Sequence, residues 1–421
     1  MRKVTELLLK GLEDALQYQM TSPEQVTSPA RRKPRIALYS HDALGMGHMR
    51  RNSLIAQTLS GAPSDAVVLL ISGAKEMNAM VLAPGIDCIT LPALTKDASG
   101  DYRPRNLQIS RGDLTNIRAR TIEAALEAFE PDLFIVDKQP RGAFGELDSA
   151  LDTLRRAGTC CILGLRDILD DPETVEREWL AAGSEEAVAE YYDRVWVYGD
   201  PAVYDLRDEY SMSNETAERV RFTGYLDPSA RFTGDPDSAA TTALESVDES
   251  SRMVLCQVGG GQDGEQLVTA FVESELPADT VGVILTGPFM PAAVRAKVAE
   301  RAVANGRMHL VEFSSEPTHL LRRADRVIAM GGYNTVCELL SMEKPALIVP
   351  RIRPRTEQLI RAERLRDLGA LSVMRPDQMS PGALTDWMRR DVASPVGIRE
   401  RIDFNGLARI PHLADELLAV A

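Results

Sequence analysis

The stretch "RVIAMGGYNTVCELLSMEKPALIVPR" (residues 326–351) reads as strand, glycine pair, helix and strand in immediate succession. Two short apolar runs frame a segment with helical spacing, and Gly331 and Gly332 make the turn between the first run and the helix. Asn334 and Thr335 fall at the helix start, where their side chains can cap it or meet an anion. The open amides of that first turn suit a diphosphate, each charge there being worth about 0.3–2 kcal/mol. Glu338 follows one turn later on the same side, and a carboxylate there can take both hydroxyls of a ribose. A plain tight turn followed by a solvated glutamate fits the spacing equally well.

The same alternation runs outward in both directions. Upstream, "RIALYS", "AVVLLISG", "IDCITLP", "PDLFIVDK", "CCILGLRD", "RVWVYGD" and "VRFTGY" are strand-like, mostly with helical segments between them. Around the opening stretch, "RMVLCQVG", "VGVILTGP", "MHLVEF", "RVIAMGG", "PALIVPR" and "LSVMRP" repeat the pattern. Strands buried on both faces and separated by helices define an α/β fold with parallel sheets. The polar stretch 226–251, rich in turn formers, divides two doubly wound, Rossmann-like domains. The partition is an N-terminal helical extension and linker (1–33), a first domain (34–225), a connection (226–251), a second domain (252–400) and a closing helix (401–421). Ligands of such sheets bind beyond the carboxyl ends of the strands, so the natural site is the cleft between the domains.

Composition narrows the partners. The chain has 421 residues, 44% hydrophobic and 26% charged, with a formal net charge of −14, which argues against nucleic acid. Five cysteines without a C-x-x-C pair read as buried thiols of a reducing, cytoplasmic compartment rather than metal ligands. No stretch approaches the roughly 20 apolar residues that span a bilayer. The N-terminal "MRKVTELLLKGLEDALQYQM" is interrupted by acids and reads as an amphipathic extension that docks on protein or on a membrane surface.

Two further strand ends carry glycine. "QVGGGQDGEQLV" places Gly259, Gly260 and Gly261 before a helix, an arrangement that favours an anion. A dinucleotide site also wants an acid at the end of the next strand, and "ILTGP" has none. In the first domain, "HDALGMGHMRRN" (41–52) contains Gly45, Gly47 and His48, followed by Arg50 and Arg51.

The segment "GGYNTVCELLSMEKPALIVPR" with "EQLIRAERLRDLGAL" resembles the donor-binding half of GT-B glycosyltransferases, closest to the peptidoglycan N-acetylglucosaminyltransferase group and its UDP-glycosyltransferase relatives. "VGGGQDG" and "GMGHMRRN" share the likeness. The resemblance implies two domains facing a cleft, and transfer of a sugar from a nucleotide-diphosphate sugar, UDP favoured, to a hydroxyl acceptor. Gly331, Gly332, Asn334 and Thr335 would hold the diphosphate, with Gly45, Gly47 and Gly259 to Gly261 facing it. Glu338 would hold the ribose, the backbone at Phe313 the base, and Glu357 and Gln358 the sugar. His48 becomes the general base, of a pKa class suited to neutral pH, with His41 the weaker candidate. Its alternative is a cap on the following helix.

The loop departs from the family pattern at Arg50 and Arg51, which either reach an anionic acceptor, Arg50 being the acceptor candidate, or the donor phosphates, or lie on the wet face of the helix. The missing partner carboxylate eight residues either side of Glu338 favours inversion over retention. Asp235 and Asp237 of "GDPD" could be offered as a metal-binding D-x-D, but they lie in the polar connection and, like Asp170 and Asp171, read better as caps and turns. Neither metal nor cofactor is expected. Asp137, Arg166 and Asp167, with Lys138, end first-domain strands and are acceptor contacts. The basic stretch 101–113, with Arg103, Arg105 and Arg111, reads as an acceptor lid or a long solvated loop. A nucleotide-sugar hydrolase, a 2-epimerase and a non-catalytic binding subunit are the rivals. Peripheral membrane contact stays open, and the oligomeric state is not addressed by the sequence.

Overall fold

The computed structural model describes residues 32–42, 47–74, 77, 82–96, 102–228, 237–248, 250–314 and 316–419. The chain divides into a unit at Met1–Lys33 and a unit at Pro34–Ala421, and all described secondary structure lies in the second. The expected N-terminal helix, Gly45 and Asp235 fall outside the described residues.

The first sheet comprises β1 (Arg35–Ser40), β2 (Val67–Ser72), β3 (Ile86–Thr90), β6 (Leu133–Asp137), β7 (Cys160–Arg166), β8 (Arg194–Tyr198) and β9 (Val220–Phe222). A separate antiparallel hairpin joins β4 (Leu94–Lys96) to β5 (Tyr102–Pro104). The second sheet comprises β10 (Arg252–Gln257), β11 (Thr280–Leu285), β12 (Met308–Val311), β13 (Arg326–Ala329), β14 (Ala346–Ile348) and β15 (Ser372–Val373). Both sheets are parallel throughout. Their orders are β3-β2-β1-β6-β7-β8-β9 and β12-β11-β10-β13-β14-β15. The central strands β6 and β13 are buried along almost their whole length, so side chains from helices cover both faces.

Each order reverses once. In the first sheet the reversal falls between β1 and β6, and in the second between β10 and β13. Beyond the carboxyl ends of such a strand pair the crossovers leave on opposite faces, and a crevice opens. The second crevice is rimmed by the turns at Gly259–Gly261 and Gly331–Gly332, the first by His41, Asp42, Asp137 and Lys138.

Six helices matter to the site: α1 (Gly47–Ser60), α2 (Arg111–Phe129), α3 (Ser238–Glu245), α4 (Tyr333–Ser341), α5 (Glu357–Asp367) and α6 (Gly406–Leu418). The last of these leaves the second lobe and packs on α1 of the first, with Ser64 donating to Asp415 at 2.8 Å. One apolar core accordingly runs from Ile36 and Leu38 through Tyr225 to Ile328's neighbour Val327 and on to Phe404 and Ile410.

Two expectations need correction. The connection 226–251, read as rich in turn formers, contains a helix: Asp237 accepts from the Ala240 amide at 2.8 Å and starts α3, whose Ala240 and Ala243 are buried. The stretch 101–113 is not one long loop: residues Tyr102–Pro104 pair with β4, and Ser110 caps α2 at Arg111. Short strands paired by a hairpin leave too little apolar alternation to be read from sequence.

Candidate functional site

The second-lobe turns are shaped so that only glycine fits at two points. Gly261 has φ +93°, and a Cβ there would lie 2.2 Å from the Thr286 carbonyl oxygen. Gly331 has φ +85°, with the Ile348 side chain 2.6 Å from its Cβ position. By contrast, Gly259 and Gly332 face open space. Gly332 is the residue before α4 and carries no side-chain cap. Asn334 and Thr335 do not cap it either. The first intrahelical bond is Val336 N–H to the Gly332 carbonyl at 2.9 Å, so the amides of residues 333–335 point outward with no acceptor among the described residues.

One turn on, Glu338 is only 8% exposed. Burial raises its pKa to about 7, and Arg50 from the first lobe opposes that rise. Phe313, just past β12, is 39% exposed, and its amide and carbonyl meet no partner among the described residues. Glu357 and Gln358 open α5. Both are engaged by Arg351: its guanidinium donates to Glu357 Oε1 at 2.7 Å and its amide to Gln358 Oε1 at 3.1 Å. Glu357 Oε2 is buried without a partner. Burial works against ionisation of Glu357, yet Arg166, Arg351 and Arg361 together hold its pKa below the usual value.

The start of α1 abuts the start of α4. Asn334 Nδ2 donates to the Gly47 carbonyl at 3.0 Å, and Arg50 donates to the Ser314 carbonyl at 3.4 Å. Asn334 thus joins the lobes as well as flanking the empty first turn.

His48 is the second residue of α1, and its Nδ1 meets Asp137 Oδ2 at the end of β6. Asp137 is fully buried and also accepts from Arg51 Nε at 3.1 Å. Despite the cost of burial, Arg51 and His48 hold its carboxyl well below the ordinary range. An ionised Asp137 can only accept, so the His48 proton sits on Nδ1 and Nε2 keeps its lone pair. Burial lowers the His48 pKa, with Asp137 partly offsetting and Arg51 reinforcing the drop. The imidazole is neutral near pH 7, oriented from behind, and 17% exposed. His41, with its ring centroid 5.1 Å away, is buried with Nδ1 unpartnered, and burial pushes its pKa well below normal.

Several assigned roles change. Asp137 orients His48 and does not contact an acceptor, because it has no exposed surface. Asp167 is likewise withdrawn from the acceptor: its oxygens take Arg361 Nε at 2.8 Å, Arg361 Nη2 at 2.7 Å and the Tyr225 hydroxyl at 3.0 Å. That buried ion pair ties β7 to α5 across the lobes. Arg51 does not lie on the wet face of α1; it is 1% exposed. Of the acceptor-side group, Lys138 and Arg166 keep positions facing the second lobe. Burial, then Arg166 and Arg355, lower Lys138 to about 7, while burial lowers Arg166, whose Nε is unpartnered, to about 10. Asp171 caps the helix at Pro172–Ala182 as expected, whereas Asp170 reaches across to the second lobe, accepting from the Thr356 amide at 2.8 Å and from Arg355 Nη1 at 3.1 Å.

Arg361 and Tyr333 are the site residues sequence reasoning did not single out. The only local signal was an arginine on the buried face of an otherwise polar helix.

Two crevices of parallel sheets, facing one another and crossed by a returning C-terminal helix, are the GT-B architecture. The calicheamicin glycosyltransferase CalG4 superposes with a TM-score of 0.57 at 16% identity, over 92% of this chain and 99% of that one. MurG of Acinetobacter baumannii gives 0.54 at 14% identity, over 91% and 99%. The UDP-GlcNAc 2-epimerase of Neisseria meningitidis bound to UDP-GlcNAc gives 0.55 at 14%, over 92% and 99%. Residues 254–403, in the second lobe, match the Glycosyltransferase family 28 C-terminal domain. The UDP-N-acetylglucosamine--N-acetylmuramyl-(pentapeptide) pyrophosphoryl-undecaprenol N-acetylglucosamine transferase of Clostridium kluyveri is 32% identical over 96 residues, 22% of this chain and 26% of that one. The transferase of the same name from Sorangium cellulosum is 33% identical over 122 residues, 29% and 30% of the two chains. The aligned part thus spans about a quarter to a third of these relatives' length. Among the described residues no helix is long and apolar enough to cross a membrane.

Proposed function

We propose that this protein is a glycosyltransferase that moves a sugar, with inversion and without a metal, from a nucleotide-diphosphate sugar to an acceptor hydroxyl. A UDP-sugar is the favoured donor, the nucleotide named in the two curated relatives above. The observation that carries the reading is the meeting of two helix N-termini, α1 and α4, at the Asn334–Gly47 contact, with the first-turn amides of α4 left open. Two positive helix ends repel unless an anion lies between them, and a diphosphate supplies that anion. Glu338 then takes the ribose hydroxyls, the open backbone of Phe313 the base, and Glu357 and Gln358 the sugar.

His48 Nε2 removes the proton from the acceptor oxygen as that oxygen attacks the anomeric carbon on the face opposite the diphosphate. Asp137 stabilises the imidazolium that forms, and the helix ends stabilise charge growing on the leaving group. Lys138 and Arg166 face the acceptor side. Five cysteines outside any disulfide accord with a cytoplasmic setting. Peripheral membrane contact is part of the proposal, on the ground that Leu107, Ile109, Ile117 and Phe144 are exposed and Arg111 lies over the Phe144 ring.

Hydrolysis and 2-epimerisation remain the second reading, because 2-epimerases share this fold. Two measurements test the choice. A thermal-shift panel of UDP, GDP and dTDP identifies the base, since binding stabilises the folded state in proportion to the logarithm of ligand over Kd. Incubation with UDP-sugars then separates the chemistries: transfer to an added acceptor supports the proposal, whereas an isomerised donor, or free sugar released as fast with an acceptor present as without it, overturns it.

A further inference from the structure

Arg51 joins three things that belong to different parts of the molecule. On one side it shares Asp137 with His48, its Nε reaching Asp137 Oδ1 at 3.1 Å and its Nη2 lying 3.0 Å from His48 Nδ1. On the other, its guanidinium lies 5.6 Å from the centre of the Tyr333 ring, with the Tyr198 ring at 5.7 Å. Tyr333 is the first residue of α4, the helix whose open amides form the anion seat. Its ring is gripped from the remaining directions by Tyr225, stacked at 6.1 Å, and by Arg361 at 5.8 Å.

Arg51 is buried, at 1% exposure, and among the described residues has Asp137 as its one carboxylate partner. A guanidinium has five donors in a rigid fork, so a position that satisfies Asp137 and the two rings at once admits little play. Any displacement of the α4 start moves Tyr333, and with it the charge beside the imidazole.

We propose that Arg51 is a positioning residue coupling the donor seat to the base: through Tyr333 it senses the α4 terminus, and through Asp137 it sets the orientation and protonation of His48. The inference rests on His48 being the base and α4 the donor seat. The groups facing His48 are Asp137 from β6, Arg51 on its own helix, and His41 and Asp42 from the β1 turn, with Lys138 beside His41. Removing the guanidinium takes away a positive neighbour and leaves Asp137, among the described residues, with His48 as its remaining ion-pair partner. Both changes favour the imidazolium, so the His48 pKa rises.

The test is a histidine-edited NMR titration of the full chain carrying labelled imidazole carbon, with the His48 signal assigned through His48→Gln. In Arg51→Met the midpoint is expected to rise by about one pH unit, while UDP binding, measured by calorimetry, stays within about threefold of wild type. Adding UDP to the wild type is expected to shift the His48 signal. In Tyr333→Leu that response is lost although UDP still binds, and Tyr333→Phe restores it. A midpoint in folded Arg51→Met that stays put or falls overturns the proposal, as does a UDP response that survives in Tyr333→Leu. Should Arg51→Met not fold, the two Tyr333 variants decide. Failure of the underlying reading looks different: UDP does not bind the wild type, or His48→Gln turns over donor normally.

Discussion

The two lobes solve the same topological problem with opposite materials. At the switch point of the second sheet the strand ends carry glycine, and the groups offered to a ligand are backbone amides beside the buried acids Glu338 and Glu357. At the switch point of the first sheet they carry His41, Asp42, Asp137 and Lys138, packed with His48 and Arg51. Backbone donors cannot change protonation; they bind. Side chains held at the edge of ionisation can move a proton. In the proposed function, binding falls to one lobe and acid–base chemistry to the other, with the reaction at the seam.

Substitutions can break this contrast, beginning with the largest expected effect. His48→Ala is expected to lower kcat by about 10²–10⁴-fold, the usual span for a general base, with UDP affinity little changed; a parallel loss of UDP binding would merge the two roles. Asp167→Ala leaves Arg361 buried and unpaired, and such a loss costs about 3–5 kcal/mol of stability, readable by chemical denaturation. It tests whether the lobes are joined by charge rather than only by the shared core.

Glu338→Gln is expected to act in two directions. The folded-state pKa of about 7 lies above the model-peptide value of 4.5, so the folded chain holds the proton more tightly and wild-type stability falls as pH rises between those values. At pH 8 the variant is expected to be the more stable apo protein, by up to about 3 kcal/mol. At the same pH it is expected to bind UDP more weakly, because the amide replaces one of the two accepting oxygens by a donor. Wild-type UDP affinity correspondingly strengthens as pH rises through 7. Equal stability at pH 8 would mean that the carboxylate is not held at a cost for the ligand. Gly261→Ala, at φ +93°, is expected to cost about 1–3 kcal/mol in strain and to weaken UDP without moving the pH profile of kcat.

The same contrast explains what was legible in the sequence. All thirteen strand segments read from apolar runs appear in the two sheets, because a strand buried on both faces writes its own signature. The glycine turns were equally local: strand, Gly331-Gly332 and helix are adjacent in the chain. The hairpin at Leu94–Lys96 and Tyr102–Pro104 was missed because three-residue strands have almost no period. The first-lobe chemistry was half legible. His48 follows its glycine loop directly, but its partner Asp137 lies 89 residues away, and Asp167 meets Arg361 across 194. Nothing in the neighbourhood of an aspartate distinguishes one that faces a ligand from one that faces an arginine; only the packed fold supplies the partner.

The proposed donor seat is the uncapped first turn of α4. A crystal structure with UDP soaked in tests it directly: the diphosphate is predicted against the amides of residues 333–335, between α1 and α4, with the ribose hydroxyls on Glu338. UDP bound elsewhere, or bound there with Glu338 turned from the ribose, would contradict it.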